Sequence, residues 1–102
     1  MGGKGDNLMR KIVIIDTGVD INNKNINLNR IKRINLFNQY NPFEDYIGHG
    51  TAITYIIQNN TFDTEIYTVN IYGKNSFTNE EKLYDTLLYI YEYERYRFDS
   101  YK

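Results

Sequence analysis

The sequence predicts an α/β domain, a three-layer arrangement with a mostly parallel sheet and crossover helices. Three observations point to it. The apolar, β-branched run 11-KIVIID-16 ends in an acid followed by Thr-Gly, as a buried strand with a turn at its carboxyl end does. The run 65-EIYTVNIY-72 has the same character. Between and after them stand segments with helical spacing, and strands alternating with helices build parallel sheets through right-handed crossovers.

Each element follows in order. After the first strand, 21-INNKNINLN-29 is rich in Asn and reads as a loop. Residues 30-RIKRINLFNQY-40 alternate in part, at Ile31, Ile34 and Leu36, and predict a second strand. The only proline, in 41-NPFED-45, marks an irregular connection. From Gly50 to about Asn59, Ala52, Ile53, Ile56 and Ile57 recur at helical spacing, although the β-branched content makes burial necessary to stabilise such a helix. The third strand follows at 65–72, then a turn over 73–77. Thr78 with Glu81 forms a capping-box signature. A long terminal helix follows, with Leu83, Leu87, Ile90, Tyr91 and Glu94 on one face, the first four as its core-facing stripe.

Composition narrows the function. A chain of 102 residues is one domain or part of one, and at this size folding removes about 65% of the unfolded surface from water. Its net charge of −1 leaves no electrostatic footprint for nucleic acid or an anionic membrane, so neither is an expected partner. With no cysteine there is neither a disulfide nor a thiolate metal site. No apolar run approaches the roughly 20 residues that span a bilayer. The start, 1-MGGKGDNLMR-10, lacks the apolar centre of a secretory signal. Residues 1–9 read as a flexible, non-native lead-in to a domain over 10–102, and the default compartment is the cytoplasm.

The candidate chemistry lies in Asp16 and His49. Functional groups of α/β sheets gather at the carboxyl ends of parallel strands, where Asp16 stands, and His49 opens the following helix. An acid so placed fixes the tautomer of an imidazole, which then takes a proton from a nucleophile. Taken singly, Asp-Thr-Gly is an ordinary strand-ending turn and a lone His beside glycines an ordinary cap. Together, about thirty residues apart, they form a joint pattern with few accidental matches.

The segments 12-IVIIDTGVD-20 and 48-GHGTAITYII-57 resemble the Asp and His motifs of the subtilisin-like serine peptidase family. The resemblance extends over residues 10 to 97. Asp45 precedes His49 by four residues, as the family often has it, and 65-EIYTVNIYG-73 and 78-TNEEKLYDTLLYIYEY-93 look like its next strand and helix. It implies an incomplete subtilisin-like domain with Asp16 as the orienting acid and His49 as the general base. The family's nucleophile and oxyanion-hole Asn belong to later segments; here Ser76 and Ser100 lack the family's Gly-Thr-Ser context. The chain alone is therefore expected to be inactive.

Other departures are Ala52 and Tyr55, where relatives often carry a second His and a small residue, and the absence of a His-Pro pair after Asp20. Asn25 stands where some relatives place a calcium-binding acid, so no metal or cofactor is expected. The implied partners are a peptide or protein substrate, and a carboxyl-terminal portion or complementing chain that carries the Ser. Self-association is also expected, through the uncovered edge of the 11–16 strand. A second reading is a non-catalytic remnant that binds peptide or a partner protein. Retroviral-type aspartic peptidases also place Asp-Thr-Gly after an apolar strand, but they require an all-β fold and leave His49 unexplained. The basic run 30-RIKR-33 reads as a solvated strand face.

Overall fold

The computed structural model describes residues 10–75 and 77–100, with 94–100 as backbone only. The lead-in over 1–9, Ser76, and the side chains of Glu94 and Ser100 lie outside what it describes. Three strands, β1 (Arg10–Asp16), β2 (Ile31–Arg33) and β3 (Thr64–Asn70), form an all-parallel sheet in the order β1-β3-β2. Two helices, α1 (His49–Asn60) and α2 (Glu80–Ser100), complete an α/β fold. The two helices remove the all-β requirement of an aspartic peptidase from consideration. Among the described residues no helix is long and apolar enough to cross a membrane.

β3 takes the centre of the sheet, and five of its seven residues are buried. Ile66 and Thr68 are fully enclosed, and Val69 nearly so. Strand alternation divides the sheet between its two faces. Ile14, Ile66 and Thr68 are buried on one face, while on the other Val13 and Tyr67 line a cavity of about 330 Å³ with Tyr89, Ile90 and Tyr93 of α2. Val19, Ile26 and Ile31 form a second buried cluster, which Phe43 closes from the loop.

The second strand is much shorter than 30–40. Pairing ends soon after Arg33, with the Ile34 N–H donating to the Thr68 carbonyl at 3.0 Å. The reason lies in the spacing. Ile31 and Ile34 are three apart, so a continuous strand would put them on opposite faces. Nor is 30-RIKR-33 simply a solvated face. The Arg30 guanidinium donates to the Gln58 and Thr61 carbonyls at 3.1 and 2.9 Å, and so closes the carboxyl end of α1. Arg33 lies over the Phe43 ring at 5.1 Å yet stays exposed, as does Lys32, which pairs with Glu65 at 2.7 Å, so the solvated face is limited to these two residues.

Both helices bury a different stripe from the one their apolar spacing suggests. In α1 the enclosed residues are Gly50, Thr51, Thr54 and Gln58, while Ala52, Tyr55 and Ile56 are exposed. The Thr54 hydroxyl donates to the Gly50 carbonyl at 2.8 Å. The Gln58 amide makes a two-point pair with the Asn27 backbone at 2.8 and 2.9 Å. In α2 the expected stripe fails: Leu83, Leu87 and Tyr91 are 41%, 51% and 61% exposed, and it is Thr86, at 0%, that turns inward with Ile90 half-buried. The capping box also gives way. Thr78 donates its hydroxyl to the Ile71 carbonyl, and Asn79 caps the helix by accepting the Lys82 N–H at 2.9 Å.

Candidate active site

β1 delivers Asp16 to the carboxyl end of the sheet, where the chain turns at Thr17 and Gly18. The start of α1 comes to the same place. A Cβ on Gly50 would overlap the Gly18 carbonyl oxygen, and a Cβ on Gly18, at φ +97°, would overlap that of Glu44. The missing Cβ of Gly50 leaves room for the Gly18 backbone, and that of Gly18 leaves room for the Glu44 backbone. Gly48, at φ +100° in the left-handed region, is the N-cap of α1 and turns the chain into the helix one residue before His49. The glycines that flank His49 thus serve geometry.

The result is an acid–imidazole pair. His49 Nδ1 lies 2.9 and 3.0 Å from the two carboxylate oxygens of Asp16. Asp16 is 17% exposed at its side chain and His49 65%. An ion pair this exposed stabilises a fold by only about 0–1 kcal/mol, too little to account for two glycines at close approach. With Nδ1 as the donor to Asp16, the neutral ring keeps Nε2 as its basic nitrogen, the arrangement a general base needs.

A hydrogen-bonded clamp surrounds the pair. The Asp16 carboxylate accepts the Thr17 N–H at 2.8 Å. The Thr17 hydroxyl donates to Asp45 Oδ1 and accepts the Gly50 N–H, both at 2.8 Å. Asp45 Oδ1 also accepts the Gly48 N–H at 2.7 Å, and Oδ2 accepts the N–H and hydroxyl of Thr51 at 2.9 and 2.6 Å. Thr51 Oγ1 in turn accepts the Asp20 N–H at 2.8 Å. Burial pushes the Asp45 carboxyl upward, but the hydrogen bonds from Thr51, Gly48 and Thr17 together outweigh it and hold it below the usual carboxylate range.

Asp16 and His49, the two candidates from the sequence, therefore meet, whereas Ser76 and Ser100 have no described side chain to place beside them. Sequence reasoning gave Thr17 and Thr51 no role and noted Asp45 only for its spacing. The available signal was a Thr directly after each motif's key residues, in Asp-Thr-Gly and Gly-His-Gly-Thr. Among the described residues no group of three or more His, Cys, Asp or Glu could hold a metal ion. No protein-family model matches this sequence, and neither any curated protein nor any solved structure matches it.

Proposed function

We propose that this chain carries the Asp–His half of a subtilisin-like serine endopeptidase site, to be completed by a Ser in a carboxyl-terminal portion or a complementing chain. One observation carries the reading: the bond from His49 Nδ1 to the Asp16 carboxylate at the carboxyl rim of a parallel sheet. In the complete site His49 Nε2 takes the proton of the Ser hydroxyl as its oxygen attacks the peptide carbonyl. It returns that proton to the leaving amine, and water then hydrolyses the acyl-enzyme. Asp16 stays ionised throughout, holding the ring and stabilising the imidazolium.

The test is hydrolysis of a fluorogenic peptide by the chain alone and after mixing with the Ser-bearing carboxyl-terminal portion of a subtilisin-like domain. The chain alone gives no turnover. The mixture gives turnover that serine-directed inhibitors block, and Asp16→Asn lowers it by about 10⁴, the size of that substitution's effect in a Ser–His–Asp triad. A mixture that binds without turnover favours the second reading, a non-catalytic peptide- or partner-binding module. That reading is motivated by the free edge of β1, which pairs only with β3 among the described residues.

A further inference from the structure

We propose that Thr17 and Asp45 are positioning residues that hold the Asp16 carboxylate and the His49 imidazole in register. The inference rests on the Asp–His reading above and extends it to two side chains that touch neither ring nor substrate. Asp16 belongs to β1 and His49 to α1, elements thirty-three residues apart in the chain. A pair this exposed cannot fix its own geometry, and a displacement of about 1 Å at a reacting group is enough to cost two orders of magnitude in rate.

The clamp supplies the missing constraint. Thr17 is covalently next to Asp16 and also donates its own N–H to it. Its hydroxyl reaches across to the Gly50 N–H, the residue after His49. Asp45 fastens the other side, since its carboxylate binds the Thr17 hydroxyl together with backbone N–H groups of Gly48 and Thr51. The residues before and after His49 are thus tied to the residue after Asp16. Both Asp45 oxygens accept these donors, and Asp16 is the carboxylate that the imidazole contacts. Thr17 itself is 3% exposed, which keeps water from replacing its hydroxyl.

The chain contains a single His, so ¹⁵N spectra of the imidazole report this site alone. At alkaline pH, where imidazoles are neutral, the wild-type ring shows the Nδ1–H tautomer and Asp16→Asn loses it. Thr17→Val, which keeps the shape and removes the hydroxyl, gives a mixture of tautomers with a native backbone amide spectrum, and Thr17→Ser restores the wild-type signal. Where Thr17→Val does not give a native spectrum, Asp45→Asn, which turns one of the two acceptor oxygens of the clamp into a donor, makes the same comparison. A folded Thr17→Val or Asp45→Asn chain with the wild-type tautomer overturns the positioning role while leaving the Asp16–His49 pair intact. Asp16→Asn with an unchanged tautomer overturns the pair itself.

Discussion

Three glycines surround the Asp–His pair, and they answer to different constraints. Gly50 is required by space, because its missing Cβ is what lets the Gly18 carbonyl approach. Gly48 is required by conformation alone: a Cβ there meets nothing within 4 Å, but its φ of +100° disfavours any side chain. Gly50→Ala is therefore expected to lose about 3 kcal/mol, as overpacking does, and Gly48→Ala about 1–2 kcal/mol, the cost of a left-handed residue. Urea denaturation midpoints order the two, and equal midpoints would refute the distinction. Asp45 adds a pH dependence. Because its folded carboxyl sits below the ordinary range of about 3.9, the unfolded chain takes up that proton first on acidification. Its contribution is present above that range and disappears as pH falls through the lower folded value. Glu65 has the same sign, from the Lys32 hydrogen bond, with burial opposing and Tyr67 adding a smaller donor. Thermal melts from about pH 5 down to pH 2 should show a loss of stability that is shallower in Asp45→Asn.

The helices show where apolar spacing misleads. α1 turns its small and polar residues inward, because the Gly18–Gly50 contact and the Gln58–Asn27 pair rotate that face onto the sheet. In α2 the leucines at 83 and 87 face away and Thr86 faces in. Leu83→Ser and Leu87→Ser should each change stability by less than about 0.5 kcal/mol, as surface substitutions do, whereas Ile66→Ala, at a fully enclosed site, should lose about 2–5 kcal/mol. Calorimetry or urea titration checks this, and losses of core size at the leucines would restore the expected stripe. The contrast explains what was legible. β1 and β3 were readable because each concentrates β-branched or aromatic residues, a pattern that does not depend on what packs against the strand. The meeting of Asp16 and His49 was readable because two short motifs pin each to an element end. The Thr17–Asp45 clamp was not, since it joins residues twenty-eight apart through hydrogen bonds that only the assembled turn creates. The capping of α2 by Asn79 was hidden for the same reason: the neighbouring Thr78 and Asn79 side chains can each serve the first N–H groups of a helix, and only the assembled turn gives Thr78 the Ile71 carbonyl instead.

At the scale of the whole molecule, the sheet places its strands at odds with their composition. β1 is apolar on both faces, with Ile12, Val13, Ile14 and Ile15 in succession, a pattern suited to the middle of a parallel sheet. Yet it lies at an edge, paired with β3 alone among the described residues, and three of those four side chains remain half-buried. The short β2, by contrast, guards its own edge with Lys32 and Arg33. An apolar strand whose outer N–H and C=O groups lack a neighbour gains both hydrogen bonds and burial when another strand joins it. On the reading proposed for the site, that neighbour would come from the Ser-bearing portion. In the isolated chain the available neighbour is a second copy, so sedimentation at tens of micromolar should give a mass above the monomer. Val13→Lys, which puts a charge on the apolar edge, should return the chain to a monomer, and adding the complementing portion should compete with self-association. A wild-type chain that sediments as a monomer at that concentration would show that β1 needs no neighbour, and would remove the motive for the partner-binding reading.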